Sequence, residues 1–469
     1  MKLRTRRLAR ATAVALATAV AIPLVATTAS GTEPAGTIHR SGVFDDGQEW
    51  QISVPPNWNG ILVNDLDSVG DVLSEGSRST FFLNHGYAYT GTRRHPDRSS
   101  NWDPRAESIN MEKVLDLFEA EFGDPRIAIQ FGCSGGGSVG LSVAEDHPGR
   151  FDGAISLHAS DPITLANQRL DLAFALKALL DPDGDLPLIV SASEASAAGA
   201  AWRAALAEWR QTPLGRARMA LALTLAQFPT WGDGEKPDAA DAQAIEDAMM
   251  ASVEIAALRA ITGRPQWDQP AGVMSWNTGI DYQAYYDNAD SFQRDVVRDL
   301  YAKAGLHGAN GDKKDLDRIN AYPRIEGTLS GVNYWRSRMT SGTPLIPLLQ
   351  ISTIGDAETP PASITRYADA VEANGRTALY RTAYINAPGH CGFNVPEMAA
   401  AVATMVQRIE TGEWGNSTDP AAMNATASTF GLGEARYIEP GPQALWSPPS
   451  TYNREFFPSS AYPGDVVDG

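Results

Sequence analysis

One serine lies in a context that favours nucleophilic chemistry. Ser134 stands inside the segment FGCSGGG at residues 131–137, which fits the G-x-S-x-G pattern of a strained turn between a strand and a helix. Side chains at Gly132 and Gly136 are expected to collide with the neighbouring strand and helix. The N–H of Gly135 is expected to donate to an oxyanion from the start of that helix. A phosphate-binding glycine loop is disfavoured because no lysine follows.

A serine hydroxyl needs a base that accepts its proton, and on this kind of fold the acid and then the histidine follow the serine in the chain. Of the seven histidines, His307 and His390 lie well downstream. His390 falls in a turn between the last predicted strand and the last predicted helix, whereas His307 falls in a loop of an insertion. Asp356 ends the preceding predicted strand and is expected to orient the imidazole. Glu358 is the rival acid.

The remaining polar groups of the site are expected at the ends of the first two predicted parallel strands. The second oxyanion donor should come from the loop after residues 60–64, at Asp65 or Leu66. Arg93 and Arg94 follow the next predicted strand. They are candidates for contact with a substrate carboxylate, although an exposed pair at a strand end is the more frequent outcome.

The only two cysteines flank the candidate nucleophile and base. Cys133 precedes Ser134, and Cys391 follows His390. A disulfide requires Cα atoms roughly 4.4–6.8 Å apart, and this is compatible with a serine and a histidine in hydrogen-bonding reach. We therefore expect a Cys133–Cys391 disulfide that clamps the turn of the nucleophile to the loop of the base. Two free thiols are the alternative.

Composition excludes several classes of function. The net charge of −18 and the pI near 4.8 argue against nucleic acid as the main partner, because phosphate binding needs basic surface. Two cysteines are too few for a thiolate metal cluster or a small disulfide-stapled scaffold. Neither a metal nor a cofactor is expected.

The N-terminus has the character of a secretory signal peptide. Five basic residues precede an uncharged run from Ala11 to Ser30, which ends in small residues. A retained membrane anchor is the alternative, disfavoured by Pro23 and by the short length of the run. We expect residues 1–30 to be removed, and the mature chain to be a secreted protein without a membrane span. The basic residues are Lys2, Arg4, Arg6, Arg7 and Arg10.

The rest of the chain alternates between two kinds of pattern. Residues 35–160 and 344–412 read as strands alternating with helices, which predicts an α/β fold with a mostly parallel sheet. Residues 161–343 read as helices and loops only, and predict a large helical lid insertion. Residues 413–469 are rich in Gly, Pro, Ser and Asn and are expected to be irregular.

Two features of the insertion bear on ligands. It holds six of the eleven tryptophans, of which we expect one or two to face a substrate and the rest to form its core. The loop DPDGD at residues 181–185 offers oxygen ligands for calcium, although a solvated acidic turn is favoured. The tryptophans are Trp202, Trp209, Trp231, Trp267, Trp276 and Trp335.

The arrangement Cys-Ser, Asp and His-Cys resembles that of the tannase and feruloyl esterase family of secreted α/β-hydrolases. The matching stretches are residues 131–136, 151–154, 355–356 and 388–392, with weaker similarity at 58–60 and 86–88. The resemblance implies an α/β-hydrolase fold, a triad of Ser134, Asp356 and His390, and a disulfide that joins the residues flanking serine and histidine. That family usually carries a further disulfide and a calcium site in its lid, whereas no third cysteine occurs here.

These observations together predict a secreted serine hydrolase that cleaves carboxylic esters through an acyl-enzyme and needs no cofactor. Its substrate is expected to be a small-molecule or polymeric ester. A secreted serine peptidase on the same fold is the first alternative, because a triad does not by itself choose between ester and amide. A non-catalytic binding protein that kept the fold is the second.

Overall fold

The computed structural model describes residues 33–69, 76–95, 103–160, 162–268, 271–441 and 444–446. The signal peptide predicted at residues 1–30 lies outside these ranges. Within them, no helix combines the length and the apolar character that crossing a bilayer requires.

A single nine-stranded sheet forms the centre of the molecule, in the order β1-β2-β4-β3-β5-β6-β7-β8-β9. The six neighbours from β4 to β8 are all parallel, while β1, β2 and β9 add antiparallel strands at the two edges. Helices cover both faces, so the α/β-hydrolase fold expected from the sequence is confirmed. The strands are β1 Ile38–Val43, β2 Glu49–Val54, β3 Ile61–Asp65, β4 Ala88–Thr92, β5 Ile127–Cys133, β6 Gly153–Leu157, β7 Leu348–Gly355, β8 Tyr380–Pro388 and β9 Tyr437–Ile438.

Five helices flank the sheet because each carries an apolar face that must be buried. The longest of the first three places four apolar residues at helical spacing in the core, all 0% exposed: Met111, Val114, Leu115 and Phe118. The helices are α1 Gly76–Asn84, α2 Pro104–Phe122, α3 Gly135–Asp146, α13 Ala362–Ala373 and α14 Val395–Thr411.

Nine α-helices, one short 3₁₀ helix (Gly308–Asn310) and no strand occur among the described residues between β6 and β7. They have a hydrophobic core of their own, which includes Phe174, Trp202 and Tyr301 and is distinct from the clusters on the two faces of the sheet. We call residues 162–336 the helical insertion. Its helices are α4 Pro162–Leu180, α5 Ala195–Trp209, α6 Pro213–Leu225, α7 Ala242–Thr262, α8 Arg264–Asp268, α9 Tyr282–Asp287, α10 Ser291–Lys303, α11 Asp312–Ala321 and α12 Leu329–Arg336.

The C-terminal segment differs from the irregular structure expected for it. Helix α15 (Pro420–Ser428) follows α14, and β9 extends the sheet at its edge. Burial explains the difference, because Met423, Ala427 and Tyr437 pack against the apolar cluster on one face of the sheet. Tyr437 also donates a hydrogen bond from its hydroxyl to the carbonyl oxygen of Glu397, at 2.7 Å.

Candidate active site

Ser134 stands in the turn between β5 and α3 with a backbone that non-glycine residues rarely adopt. Its φ is 57° and its ψ is −117°, so the conformation is strained and must be imposed by the surrounding structure. The N–H of Ser134 donates to the carbonyl oxygen of Leu157 at the end of β6, at 2.9 Å. This tie holds the turn against the carboxyl edge of the parallel strands, where ligands bind in α/β sheets.

The glycines around Ser134 are not equally constrained. A Cβ at Gly132 would lie 2.6 Å from the backbone carbon of Gly136, and one at Gly137 would lie 2.5 Å from the oxygen of Leu157. A Cβ at Gly136 would meet no atom nearer than Leu66 Cβ, at an ordinary contact distance of 3.4 Å. The collision expected from the sequence therefore holds for Gly132 but is wrong for Gly136. The second position at which a Cβ would collide is Gly137, because it faces β6 directly.

Asp356 and His390 are joined by a hydrogen bond, as expected. The Nδ1 of His390 lies 2.7 Å from Oδ2 of the carboxylate, and Asp356 is fully buried. The other oxygen, Oδ1, accepts from the N–H groups of Glu358 and Thr359 at 2.7 and 2.9 Å. With its Nδ1 hydrogen donated to Asp356, His390 keeps Nε2 free to accept a proton. The rival acid, Glu358, pairs with Arg259 instead, at 3.1 Å.

A second histidine, His158, contacts the same carboxylate. It follows β6 directly, and its Nδ1 lies 2.6 Å from Oδ2 of Asp356. Its Nε2 accepts from the N–H of Thr353 at 2.7 Å, so the proton of the neutral ring belongs on Nδ1 and is donated to Asp356. The N–H of Cys391 also points at Nδ1, at 3.0 Å. We do not count this contact as a hydrogen bond. Nδ1 could accept from Cys391 only without a proton of its own, and an unprotonated Nδ1 would then face the carboxylate of Asp356.

Burial and hydrogen bonding set the charges of this cluster. Burial lowers the pKa of His158 and outweighs the opposing attraction of Asp356, so this imidazole is neutral. For Asp356, burial acts to raise the pKa, but the facing rings of His390 and His158 and their hydrogen bonds bring it well below its usual range. The cluster therefore holds an ionised carboxylate whose oxygens are both occupied by donors.

The Cys133–Cys391 disulfide is present, with Cα atoms 6.1 Å apart across a sequence separation of 258 residues. It joins the end of β5 to the loop after β8, as predicted. Together with His158 and His390, Cys391 is one of three potential metal ligands grouped within 4.8 Å. They do not fit a metal ion, because the sulfur is in the disulfide and both Nδ1 atoms donate to Asp356.

Ser134 and His390 line one open cleft, whose empty space is about 540 Å³ when the part open to solvent is included. No hydrogen bond joins their side chains among the contacts of the described residues; such bonds often tighten only when a substrate is bound. The sheet side of the cleft is formed by Arg94, Ser134, Gly135, Ser138, His158, Ser160, Thr359 and His390. The helical insertion contributes Pro162, Leu165, Arg169, Arg259, Gln266 and Trp267.

Of the three candidates for the oxyanion hole, only Gly135 reaches this cleft. It is the first residue of α3, where backbone N–H groups have no acceptor within the helix. Asp65 and Leu66 are 0% exposed and do not line the cleft. The carboxylate of Asp65 is occupied by Arg78 at 2.6 Å and by the hydroxyl of Tyr89 at 2.8 Å. These contacts involve the Asp65 side chain, and a backbone N–H of Asp65 or Leu66 as the second oxyanion donor stays a prediction.

The two arginines predicted at the strand end have separate positions. Arg94 lines the cleft and forms a bidentate ion pair with Asp67, at 2.8 Å for each contact. Arg93 is about half exposed and lies 3.5 Å from Glu49 at the antiparallel edge. Only Arg94 is therefore close to the candidate nucleophile.

Two expectations about the insertion are answered by its side-chain contacts. Among its six tryptophans, Trp267 alone lines the cleft. In the acidic turn at 181–185, Asp181 accepts from the ammonium of Lys177 at 2.6 Å, and Lys177 also donates to the oxygen of Gly184 at 2.7 Å. A lysine thus occupies the centre of the turn where a calcium ion would be held, and the turn does not fit that ion.

His158 is the residue that the sequence interpretation missed. It directly follows a parallel strand, and the carboxyl ends of such strands are where functional groups gather. That signal was available, but nothing in the sequence says that the loops carrying Asp356 and His390 close over the same point.

Two comparisons by sequence show which proteins this chain is similar to. Residues 8–263 match the family described as "Tannase-like family of unknown function (DUF6351)". An o-phthalyl amidase from Xanthobacter agilis is 37% identical over 447 residues, covering 89% of this chain and 96% of the relative.

The solved structures that resemble this chain are more distant in sequence. An esterase from Aspergillus oryzae is 14% identical, with a TM-score of 0.39 and 80% of each chain covered. Tannin acyl hydrolase from Aspergillus niger is also 14% identical, with a TM-score of 0.38, covering 82% of this chain and 81% of its own. Because the family match spans more than half of the residues and the amidase aligns along almost its whole length, the chain belongs to the tannase-like family.

Proposed function

We propose that this protein is a serine hydrolase that cleaves carboxylic esters, with Ser134 as nucleophile, His390 as base and Asp356 as the group that orients the base. The observation that carries the proposal is the Nδ1 contact between His390 and a buried, ionised Asp356. This contact fixes the His390 ring through Nδ1 and leaves its Nε2 free to act as a base. His390 lines the same cleft as Ser134, the serine with the strained backbone.

The reaction follows from these positions. His390 Nε2 takes the hydroxyl proton as Ser134 Oγ attacks the ester carbonyl, and the N–H of Gly135 stabilises the oxyanion. The imidazolium, stabilised by Asp356, then protonates the departing alcohol and leaves an acyl-serine. Water repeats the sequence on the acyl-enzyme with His390 again as base, which releases the acid and restores the serine.

Labelling by a fluorophosphonate tests this assignment most directly. We expect the probe to modify Ser134, and Ser134→Ala and His390→Gln to remove both the labelling and 4-nitrophenyl acetate hydrolysis while leaving the melting temperature nearly unchanged. His307→Gln is the matched control, since His307 is an exposed histidine of the insertion. Its labelling and turnover should equal those of the wild type. A wild-type protein that neither labels nor turns over esters supports instead a binding protein that kept the fold.

Amide hydrolysis is the second candidate, favoured by the 37% identical relative that is named an amidase. A matched pair of substrates, 4-nitrophenyl butyrate and butyryl 4-nitroanilide, separates the two reactions because only the scissile bond differs. If the ester is the preferred class, the ratio of kcat/KM for the ester over the anilide exceeds the ratio of their uncatalysed hydrolysis rates. An anilide at least as good as the ester assigns the protein to amide cleavage.

We also propose that the protein is exported and loses residues 1–30. A disulfide between Cys133 and Cys391 supports this proposal, because such bonds persist in oxidising compartments. N-terminal sequencing of the protein recovered outside the cell should begin near residue 31. Recovery of the uncleaved chain in a membrane fraction points to the anchor alternative.

A further inference from the structure

The wall of the cleft is positively charged in a protein whose net charge is −18. Three arginines, Arg94, Arg169 and Arg259, line it together with Ser134 and His390, and no Asp or Glu is among the described residues that line it. Because cationic walls raise the local concentration of anions, the charge of the cleft affects which substrates it binds.

The three arginines differ in how far their charge is already balanced. Arg94 is held by both oxygens of Asp67, a carboxylate that is itself 1% exposed. Arg259 has a single contact with Glu358 at 3.1 Å, in a pair that is nearly half exposed on the arginine side and about one third on the glutamate side. Such an exposed pair is weak and easily exchanged for another partner.

Arg169 has no carboxylate partner within 4 Å among the described residues. Its Nε and Nη2 both donate to one backbone carbonyl oxygen, that of Glu358, at 3.2 and 2.7 Å. The residue is only 6% exposed, and its second terminal nitrogen, Nη1, makes no hydrogen bond to the described residues. Burial, and next the nearby Arg259, lower the pKa of Arg169 to about 9, so the guanidinium remains charged at neutral pH.

A buried guanidinium that is bound only by a carbonyl oxygen gains from an anion that completes its coordination. Its planar, forked N–H groups match a carboxylate. The ring of Trp267, whose centroid lies 5.9 Å from the Arg169 guanidinium carbon, adds an apolar surface beside this position. The position is in the same cleft as the nucleophile, so one small molecule can reach both.

We propose that the substrate carries an ionised carboxylate in addition to its scissile bond, and that Arg169, with Arg259 beside it, binds that carboxylate. The inference rests on the proposed hydrolase function and adds its substrate class. Arg169 is a specificity-determining residue in this proposal: it contacts the substrate away from the bond that is cleaved.

Matched ester pairs test the proposal and show on which side of the bond the carboxylate lies. The first pair is mono-4-nitrophenyl adipate and methyl 4-nitrophenyl adipate, which place the charged or capped group on the acyl side. The second is 4-acetoxybenzoate and its methyl ester, which place it on the leaving group. We expect the wild type to prefer the anionic member of at least one pair, with spontaneous hydrolysis subtracted using Ser134→Ala.

Substitution of the arginine should remove that preference. In Arg169→Met the ratio of kcat/KM for the anionic over the neutral member should fall by about 10- to 100-fold, the scale of a lost hydrogen bond to a charged group, chiefly through a higher KM. Arg169→Lys should restore part of it. Arg126→Met, which removes an exposed arginine paired with Glu410 on the surface, should leave the ratio unchanged.

Each outcome separates this proposal from the proposed function. A ratio near one in the wild type, or a ratio that Arg169→Met does not change, overturns the carboxylate site while ester turnover and Ser134 labelling still stand. Absence of labelling and of turnover on all four esters rejects the hydrolase itself. If Arg169→Met fails to fold, Arg169→Lys takes its place, and an unchanged ratio in that variant overturns the carboxylate site. Added salt should raise KM for the preferred anionic ester and not for its neutral partner.

Discussion

At the scale of single residues, His158 fixes the geometry of the candidate triad. A buried carboxylate is tolerated only when its lone pairs are occupied, and Asp356 has donors on both oxygens. Two backbone N–H groups hold Oδ1, while the rings of His390 and His158 share Oδ2. His158 thus limits the positions that Asp356 can adopt and, through Asp356, the orientation of His390. We regard it as a positioning residue.

Replacing His158 by Gly should lower kcat about tenfold with little change in KM, the scale seen when outer hydrogen-bond partners of a functional group are removed. Glycine suits the site because His158 has a φ of 46°. His158→Asn, which tolerates that backbone and keeps a donor, should recover most of the loss. In a His390→Gln background the His158→Gly change should have no further effect, because both act through one unit. Independent, additive losses contradict the positioning role.

The same histidine should make stability depend on pH. Its folded pKa is lowered by burial, so below about 6.5 the unfolded chain binds a proton that the folded chain does not. Folded-state stability must then fall as the pH decreases through that value. Urea unfolding at about pH 7.5 and pH 5.5 should show a smaller drop for His158→Asn than for the wild type. Equal drops would mean that His158 does not titrate in this window.

At the scale of elements, two neighbouring glycines at the start of α3, Gly136 and Gly137, differ in whether a side chain fits there. Gly137→Ala should lower the melting temperature by several degrees, since overpacking against the oxygen of Leu157 costs roughly 1–3 kcal/mol. Gly136→Ala should be tolerated and even stabilise α3, by up to about 1 kcal/mol from helix propensity. Thermal unfolding of the two variants provides the comparison. A greater loss for Gly136→Ala would contradict the contact distances.

The disulfide connects the turn between β5 and α3 to the loop after β8. Removing it as Cys133→Ala/Cys391→Ala should cost up to about 5 kcal/mol of stability in the entropic account of so long a loop. It should also reduce turnover, because the positions of Ser134 and His390 are no longer tied together. Mild reductant should bring the wild type to the level of the double variant. The double variant itself should not respond to reductant; any response there would indicate a different target.

The elements of the sheet were predictable from sequence where local pattern decides them. The runs that became β3, β5 and β6 are apolar and bounded by turn residues, and buried parallel strands need nothing more. The apolar pattern of helix α2 starts at Met111, but the helix begins at Pro104 because Asp103 caps it, a signal that the apolar pattern does not include. The role of His158 and the burial of Asp65 depend on loops brought together from distant strands, which no local pattern contains.

At the scale of the whole molecule, the helical insertion is a second folded unit that completes the cleft. It has a separate hydrophobic core, yet α4 starts at the edge of the cleft and continues into that core, with every residue up to Leu179 buried. Since α4 carries Pro162, Leu165 and Arg169, the stability of the insertion and the shape of the substrate site are linked. The candidate nucleophile Ser134, with Asp356 and His390, lies outside the insertion, in the loops that follow the strands of the sheet.

A cavity made by substitution in either core should show whether the insertion and the sheet unfold separately. Phe174 is fully buried in the insertion and stacks on Tyr282 at 5.6 Å, whereas Phe118 is fully buried beside the sheet. Either Phe→Ala change should cost about 3–5 kcal/mol locally. Hydrogen exchange should then quicken in α4 to α7 for Phe174→Ala and in α2 and its adjoining strands for Phe118→Ala.

The two variants should also differ in labelling and in ester hydrolysis. Phe174→Ala should keep fluorophosphonate labelling of Ser134, which needs only the groups on the sheet, while KM for the preferred anionic ester rises because the wall formed by α4 is loosened. Phe118→Ala should lower labelling and turnover together. Faster exchange spread evenly over both cores in Phe174→Ala would show instead that sheet and insertion unfold as one unit, and the cleft would then have no wall that can loosen independently of the triad.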